Sequence, residues 1–287
     1  MDYISEISES DARTSYGVTG RVYEGRTTVG TEVLIADSPT YGRMLFLDGE
    51  LQSAAADEHL YHEALIHPAM AGVVYEKAPE RLDVLVVGGG EGATVREVLR
   101  WSQVKRVMWV DWDGDLVEKC RQQLNWAPEV YANPRVEYHP SDIQTVWPWV
   151  GDFDVIILDL PDPDGETGYL YSNAFWQDVV AHLRPGGRIV THCGPVRPFG
   201  SVGEGFQRLM RSGPAGAHFY HALIPSFQGE WGFLMWGGWP AVGAHLPTGL
   251  RSVDGDQLAR WGSLTLAWKT PVSLVGEEVT VSATELE

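Results

Sequence analysis

Two aspartates three residues apart follow a predicted buried strand, in an arrangement that can handle an amine. Asp159 and Asp162 stand in the segment Asp-Leu-Pro-Asp-Pro, directly after the apolar run of residues 154–158. An alkylammonium ion must lose a proton before its nitrogen can attack an electrophilic carbon. Asp159 can accept that proton while Asp162 binds a second nitrogen. Asp-Pro turns also end strands and cap helices, so a purely structural interpretation stays open at this point.

A glycine-rich turn indicates a nucleotide site. Residues 88–92 have the sequence Gly-Gly-Gly-Glu-Gly and follow another apolar run, residues 83–87. Glycines such as Gly88 and Gly90 permit a tight turn and close approach of the backbone to a ligand, although such a turn can be only structural. Glu91 would repel the pyrophosphate of a dinucleotide at the helix start, but it suits a nucleoside that carries positive charge. We therefore expect S-adenosylmethionine or its decarboxylated form rather than NAD.

Two further carboxylates follow the next two predicted strands. Asp111 comes directly after residues 106–110, where a carboxylate can accept hydrogen bonds from both hydroxyls of a ribose. The alternative for Asp111 is the N-cap of the helix that follows. Asp142 lies just beyond the strand expected near residues 136–139, where it can bond an adenine amino group, with Ile143 beside it.

Strands that end on one side of a sheet would bring these residues together. From about residue 76, strands alternate with helices expected at residues 94–101, at residues 114–124 and from the N-cap Ser172 to residue 183. This alternation predicts an α/β fold with a parallel, doubly wound sheet that binds ligands at the carboxyl ends of its strands. The last predicted strands lie at residues 188–191, 219–224 and 232–236, the final two forming an antiparallel hairpin.

The N-terminal part has a different pattern. Short β-prone runs at residues 31–35 and 43–47 are separated by turns, and residues 57–71 have the apolar spacing of a helix. We expect residues 1–75 to form a β-strand domain with a linking helix. Residues 76–287 would form the catalytic domain, with its last ~20 polar and acidic residues partly disordered.

Composition excludes several classes of protein. Of the 287 residues 44% are hydrophobic, and 21 Lys and Arg against 39 Asp and Glu give a net charge of −18. That charge argues against a nucleic-acid binder and suits a cationic substrate, although solubility alone would also account for it. The two cysteines are too few and too distant for a disulfide scaffold or a structural zinc site. With no apolar run of ~20 residues and no signal peptide, a soluble, cytoplasmic protein is expected.

A metal site is not expected either. His59, His62 and His67 are close in sequence, but His67 falls on another face of the predicted helix than His62. No cysteine or aspartate nearby completes a tetrahedral set of ligands.

Five segments between residues 41 and 236 carry a resemblance to a known family, and three of them, at residues 47–53, 57–63 and 88–92, are specific as a combination. They include Leu-Asp-Gly-x-x-Gln-Ser at residues 47–53, Asp-Glu-x-x-Tyr-His-Glu at residues 57–63 and Ile-Pro-Ser-Phe at residues 224–227. With the glycine turn and the loop that starts at Asp159, the sequence resembles the polyamine aminopropyltransferases, the spermidine and thermospermine synthase family. It looks closest to thermospermine synthases and to bacterial enzymes that act on longer amines. The resemblance implies a Rossmann-like, methyltransferase-type sheet with a small N-terminal β domain, and a homodimer or homotetramer.

In that family decarboxylated S-adenosylmethionine donates an aminopropyl group and methylthioadenosine leaves, with no permanently bound cofactor. The resemblance assigns the ribose to Asp111, the adenine edge to Asp142 and the donor's amine to Glu91. The residues expected to bind the donor are Gln52, His62, Gly88, Gly90, Glu91, Asp111, Asp142 and Ile143, although Gln52 and His62 would contact either the donor or the polyamine beside it. The polyamine acceptor falls to Tyr61, Asp159, Asp162, His192 and Phe227. Among these, Asp159 would be the catalytic acid–base residue, assisted by Tyr61.

Departures from the family pattern concern the acceptor. Pro161 stands where the family usually has Ser, Thr or Ala, Glu166 where many members have Pro, and His192 where Gln is frequent. Putrescine-specific relatives carry a Tyr at the position of Phe227 and a Glu at the position of Gly194. Because both groups bind the far ammonium of a short diamine, their absence favours spermidine or an agmatine-like acceptor over putrescine.

Two alternatives remain at this point. The first is methyl or aminocarboxypropyl transfer from intact S-adenosylmethionine to a small amine, because plant putrescine methyltransferases keep much of the same motif set. Glu91 and Asp159 favour the decarboxylated donor, since they would repel a donor carboxylate. The second is a non-catalytic polyamine-binding protein, which the presence of both Asp159 and Tyr61 disfavours.

Overall fold

A computed structural model describes residues 2–7, 13–161, 169–196, 204–241 and 243–264. The strands are β1 (Asp2–Ile7), β2 (Arg13–Val18), β3 (Gly20–Arg26), β4 (Glu32–Ser38), β5 (Gly42–Leu47), β6 (Glu50–Ala54), β7 (Leu82–Gly88), β8 (Val104–Asp111), β9 (Val136–Pro140), β10 (Phe153–Asp159), β11 (Leu183–Val196), β12 (His218–Ile224) and β13 (Gly229–Trp236). The helices are α1 (Glu58–Lys77), α2 (Ala93–Leu99), α3 (Gly114–Gln123), α4 (Ile143–Val146), α5 (Asn173–Ala181), α6 (Glu204–Ser212) and α7 (Gly255–Gly262).

The N-terminal part forms two antiparallel sheets. One is the β1–β2 hairpin and the other has the order β3-β4-β5-β6, so the predicted β runs near residues 31–35 and 43–47 are confirmed. Val33, Ile35 and Leu45 on this sheet pack against α3. The Tyr16 hydroxyl donates to the Ser226 carbonyl oxygen at 3.0 Å, which ties β2 to the turn after β12. The small sheets are therefore fixed to the larger one by both apolar and polar contacts.

The central sheet has seven strands in the order β12-β13-β11-β10-β7-β8-β9. Strands β11, β10, β7, β8 and β9 run parallel, as predicted, and β7 and β10 are buried on both faces between helices. The sheet is mixed rather than wholly parallel, in agreement with the antiparallel hairpin predicted for its last two strands. The reason is the expected β12–β13 hairpin, which adds β13 antiparallel to the edge of β11.

The segment between α5 and the predicted strand at residues 188–191 differs from the sequence prediction. The segment 184–187 was expected to end a helix, and a strand was expected to start at residue 188. Helix α5 instead stops at Ala181 and β11 already begins at Leu183. Phe153 pairs with Leu183 while Val155 pairs with Arg188, so residues 184–187 loop out of the ladder, with Gly186 at φ +71°. The expected N-cap Ser172 is confirmed, since its side chain accepts a hydrogen bond from the backbone N–H of Phe175.

Helix α1 is longer than the predicted 57–71 and continues to Lys77, with Pro68 inside it. The buried carboxylate of Glu63 accepts hydrogen bonds from the backbone N–H groups of Arg251, Ser252 and Val253 at 2.8–3.1 Å, and from the Ser252 hydroxyl at 2.7 Å. These bonds fasten the segment before α7 to α1. The proposed division at residue 75 falls inside α1 and stays a prediction, and the predicted disorder of the last residues lies outside the described residues.

The described ranges contain no helix with the length and apolar character that a membrane crossing requires.

Candidate active site

The glycine turn lies directly against the end of β10. Gly88 has φ +81°, and a Cβ there would lie 2.0 Å from the carbonyl oxygen of Asp159. The backbone N–H of Gly89 donates to that same oxygen at 2.9 Å. Only glycine fits such a close approach of two chains, and the approach brings the turn and Asp159 to one edge of the sheet.

The carboxylate of Asp159 is held by two hydroxyl groups. The Tyr61 hydroxyl donates to Oδ1 at 2.8 Å, and the Thr94 hydroxyl donates to Oδ2 in a short hydrogen bond. Tyr61 comes from α1 and the fully buried Thr94 from the first turn of α2. The structure thus brings Asp159 and Tyr61 together as predicted. Sequence reasoning missed Thr94, although a hydroxyl residue two positions after a glycine turn was an available signal.

His62 lies between two carboxylates on the other side of the turn. Its Nδ1 is 2.9 Å from Glu58 Oε2 and its Nε2 is 2.8 Å from Glu91 Oε1. Burial by itself would lower the pKa of His62, but the charges of Glu91 and Glu58 outweigh it and raise that pKa well above its ordinary value. The predicted donor residues His62 and Glu91 therefore meet as a buried ion pair.

Asp111 is buried at the end of β8, beside the glycine turn. A Cβ on Gly90 would lie 3.3 Å from its Oδ2, and its Oδ1 accepts a hydrogen bond from the backbone N–H of Asp113 at 2.9 Å. Burial, together with the charges of Asp113 and Asp159, raises the pKa of Asp111 to about 7. The N-cap of α3 is Asp113, which accepts from the Leu116 N–H, so the capping alternative for Asp111 is wrong.

Asp142 and Ile143 lie at the start of α4, past the end of β9. Asp142 is the N-cap of this helix and accepts a hydrogen bond from the backbone N–H of Gln144 at 2.9 Å, while Ile143 is buried. A carboxylate oxygen can accept more than one hydrogen bond, so capping does not conflict with an adenine contact. That contact remains a prediction.

Aromatic side chains from several elements pack around Tyr61. His192 on β11 has Nε2 2.7 Å from the Leu160 carbonyl oxygen, and its Nδ1 accepts from the Trp231 indole at 3.3 Å. The Phe227 ring lies 4.7 Å from the Trp231 ring and 6.2 Å from the Tyr61 ring. His192 and Phe227 thus both lie near Tyr61, and their role beside the acceptor stays a prediction.

One predicted residue is not joined to this group, and another lies outside the described residues. Gln52 is exposed on β6, where its amide donates to the Glu50 carbonyl oxygen at 3.4 Å. Asp162 lies outside the described residues. Their roles stay predictions.

Two of the three histidines considered as metal ligands, His62 and His67, have other partners. His67 is fully buried, 3.2 Å from Glu97 Oε2, and accepts from the Trp101 indole at 3.1 Å. In the part of the chain that the structure describes, His, Cys, Asp and Glu side chains form no group of three that could hold a metal ion.

Comparison with known families covers most of the chain. Residues 58–241 match the spermine/spermidine synthase domain, and residues 3–54 match the spermidine synthase tetramerisation domain, which indicates an oligomer. The second match coincides with the small N-terminal sheets β1 to β6.

Curated relatives agree with these matches. Polyamine aminopropyltransferase 2 of Pseudomonas aeruginosa is 38% identical over 82% of this chain and 68% of its own length. A polyamine aminopropyltransferase of Synechococcus is 38% identical over 77% of this chain and 72% of its own. The thermospermine synthase ACAULIS5 of Arabidopsis thaliana is 30% identical over 81% and 69%, respectively.

Solved structures support the fold. A spermidine synthase in complex with the transition-state analogue AdoDATO has a TM-score of 0.78 at 22% identity and covers 92% of both chains. The spermidine synthase of Thermotoga maritima has a TM-score of 0.75 at 20% identity. The predicted Rossmann-like sheet with a small N-terminal β domain is confirmed. With two matched domains and relatives alike over most of its length, the chain belongs to the spermine/spermidine synthase family, the polyamine aminopropyltransferases.

Proposed function

We propose that this chain moves the aminopropyl group of decarboxylated S-adenosylmethionine to an amine of a polyamine and releases methylthioadenosine. The observation that carries the proposal is the placement of Asp159, a carboxylate at a strand end that Tyr61 and Thr94 hold in one orientation. Asp111 and Glu91 lie at the same edge of the sheet, where a nucleoside would bind. One site therefore offers groups for both substrates.

The reaction needs one proton acceptor. The amine substrate arrives as an ammonium ion. Asp159 takes one of its protons, so that a lone pair on the nitrogen becomes available. That lone pair attacks the methylene carbon of the aminopropyl chain that is bonded to the sulfonium sulfur. The bond between this carbon and sulfur breaks, and its electron pair stays on sulfur. The products are a secondary ammonium ion and neutral methylthioadenosine. Tyr61 and Thr94 do not exchange protons in this scheme; they orient the carboxylate toward the amine.

The groups around the glycine turn suit this donor. The buried Asp111 carboxylate can accept bonds from the ribose hydroxyls, and Gly90 leaves room beside it. Glu91 offers a negative charge to the donor's amine, while a carboxylate on the intact donor would be repelled there. These charges favour the decarboxylated donor over S-adenosylmethionine itself.

For the acceptor we propose spermidine or an agmatine-like amine over putrescine. Phe227 has no hydroxyl with which to bind a far ammonium group. Gly194 has φ +83°, and a Cβ there would meet no atom of the described residues within 4 Å. The open space at Gly194 gives a longer chain a way past the aromatic side chains. A short diamine would leave its second ammonium short of partners, which is costly in a buried site.

For the assembly and the location of the protein we keep the sequence predictions as proposals. We propose a homodimer or a homotetramer formed through the N-terminal strands, which the tetramerisation-domain match supports. The cytoplasmic location stays a prediction.

An assay with defined donors tests the reaction. The protein is incubated with decarboxylated or intact S-adenosylmethionine and with putrescine, spermidine or agmatine, and the nucleoside product is identified. We expect methylthioadenosine from the decarboxylated donor. S-adenosylhomocysteine from the intact donor would instead show methyl transfer, and no product with any pair would indicate binding without catalysis.

A competition experiment tests the acceptor. Putrescine and spermidine are supplied at equal concentration with the decarboxylated donor, and the two products are quantified. We expect the spermidine product to dominate. A higher kcat/KM for putrescine would overturn the acceptor assignment and leave the reaction class intact.

A further inference from the structure

Four charged side chains form a buried cluster behind the glycine turn. They are Glu58, His62, Glu91 and Arg96, and none has a side chain more than 12% exposed. Glu58 Oε2 lies 2.9 Å from His62 Nδ1 and accepts a hydrogen bond from Arg96 at 2.8 Å. The far ring nitrogen of His62 lies 2.8 Å from Glu91 Oε1. The cluster therefore joins α1, α2 and the turn that carries Glu91.

Beyond Glu58, the outer part of this cluster holds two arginines and one glutamate, so it carries one positive charge. Arg96 also binds Glu97 at 2.9 Å, and Glu97 binds Arg100 at 2.6 Å. The inner part consists of Glu58, His62 and Glu91. It holds the imidazolium of His62 between the carboxylates of the other two residues. Because the imidazolium neutralises only one of them, the inner part keeps one negative charge. Without Glu58, His62 and Glu91 would cancel.

We propose that Glu58 is a positioning residue for donor binding: it offsets the His62 charge, so that Glu91 keeps a net negative charge for an ammonium group. The inference rests on the proposed function, in which that ammonium is the amine of the decarboxylated donor. Glu58 touches neither substrate in this scheme and acts only through His62.

The direction of the His62 ring supports this role. Nδ1 lies within 2.7 Å of the Glu58 carbonyl oxygen and 2.9 Å of its carboxylate, so Glu58 turns Nε2 toward Glu91. Glu58 is itself kept ionised: burial would raise its pKa, but His62 and Arg96 hold it at about 2. Glu58 therefore stays ionised throughout the neutral range.

Other groups that face this cluster do not supply a competing charge. The Tyr61 ring on α1 meets the His62 ring edge-on at 5.1 Å. Burial, and then the charge of Glu91 among others, raises the pKa of Cys120 on α3 and that of Tyr131, so both stay neutral. Arg96 reaches the inner part only through Glu58. Removing the Glu58 charge therefore has a direct effect on His62.

The test compares two ligands that differ in the ammonium group. The dissociation constants of decarboxylated S-adenosylmethionine and of methylthioadenosine are measured by calorimetry at about pH 7 and about pH 9 for wild type and Glu58→Gln. At the lower pH we expect the variant to bind the decarboxylated donor on the order of tenfold more weakly, with methylthioadenosine affinity unchanged. At the higher pH part of the loss should be recovered, because His62 without Glu58 loses its proton there.

Glu97→Gln is the matched control, since it also removes a buried carboxylate bonded to Arg96 but one that does not touch His62. An equal loss for both ligands in Glu58→Gln, or the same selective loss in Glu97→Gln, would show that Glu58 only supports the fold and would overturn the proposal. Should Glu58→Gln not fold, the His62 ring is titrated by NMR in the wild type. We expect the ring to keep its proton well above the pH at which an ordinary histidine loses it, whereas deprotonation near the ordinary value of about 6.5 contradicts the proposal.

This outcome is separable from the proposed reaction. If wild type makes no methylthioadenosine from any donor and amine, the proposed function fails. If wild type is active but Glu58→Gln binds both ligands normally, only the role of Glu58 fails.

Discussion

The side of the site proposed to bind the donor, called the donor side, and the side proposed to bind the amine, called the acceptor side, are built in different ways. On the donor side, backbone turns and strand ends place the groups: Gly88 lets the turn meet β10, and Asp111 follows directly from β8. On the acceptor side, large side chains from separate elements contact each other, with Trp231 of β13 joined to His192 of β11. The donor side is thus fixed by the chain path, and the acceptor side by packing.

This difference suggests how the family varies. A group that sits on a strand end moves only if the sheet moves, so the donor site tolerates little change. An aromatic side chain can be exchanged without altering the sheet, because its neighbours can repack. We therefore expect substitutions on the donor side to abolish binding or folding, and substitutions on the acceptor side to change which amine is used.

Asp159 stands where the two sides meet, so its removal should have the largest effect. Asp159→Asn keeps the shape and the Tyr61 contact but cannot accept the proton of the ammonium ion. We expect turnover to fall by a factor on the order of 10² to 10⁴. Methylthioadenosine binding, measured by calorimetry, should be retained as the control for folding. Turnover close to wild type would show that another group accepts the proton.

A substitution at Gly88 tests whether the chain path fixes the donor side. In Gly88→Ala the new Cβ would clash with the Asp159 carbonyl oxygen at 2.0 Å, and φ +81° is itself strained for alanine. We expect a loss of about 3 kcal/mol or more in the free energy of unfolding, measured by urea denaturation. Gly151→Ala is the control, since a Cβ there meets nothing within 4 Å among the described residues. Equal stability of the two variants would contradict this account.

The pH dependence of nucleoside binding tests the Asp111 carboxylate. Its pKa is raised to about 7, so the carboxyl is protonated at lower pH and ionises as the pH rises through neutrality. Ribose hydroxyls bind the ionised form better, so methylthioadenosine affinity should rise by up to about tenfold between about pH 6 and about pH 8. In Asp111→Asn that rise should be absent and binding weak throughout. The same rise in the variant would mean that another group causes it.

The smallest effect is expected on the acceptor side. Phe227→Tyr adds a hydroxyl next to Trp231, and the ratio of kcat/KM for putrescine to that for spermidine should increase by about tenfold or less. The KM for the donor should not change, because no donor group is touched. If the KM for the donor changed while the ratio of kcat/KM for the two amines did not, Phe227 would belong to the donor side instead.

Much of the donor side could be predicted because its signals are local. Apolar runs end at Gly88, Asp111 and Asp159, and the structure places each at a strand end. The capping ambiguity at Asp111 could not be resolved from sequence, because Asp113 is an equally good capping residue two positions away. It was resolved only by the helix start at Gly114.

The contacts on the acceptor side could not be predicted from the sequence, because they join residues that are far apart along the chain. The contact of His192 with Trp231 follows from the register of β11 and β13, which a shift between His192 and Gly194 interrupts. The buried cluster around Glu58 likewise requires α1 and α2 to be packed side by side, so Arg96 gave no sign of its role in the sequence. Long-range pairing of this kind is set by the tertiary structure rather than by neighbouring residues.

Three consecutive residues of α1 point to three different parts of the molecule. Tyr61 bonds to Asp159, His62 faces Glu91, and Glu63 binds the backbone at residues 251–253. Successive side chains of a helix project about 100° apart, so a single turn of α1 positions all three of these side chains. We expect a small rotation of this helix to disturb the proposed proton transfer, the proposed donor binding and the contact of Glu63 with residues 251–253 at once. The site therefore behaves mechanically as one unit, and a chimera that exchanges the segment before α7 would have to preserve the bonds to Glu63 to keep its chemistry intact.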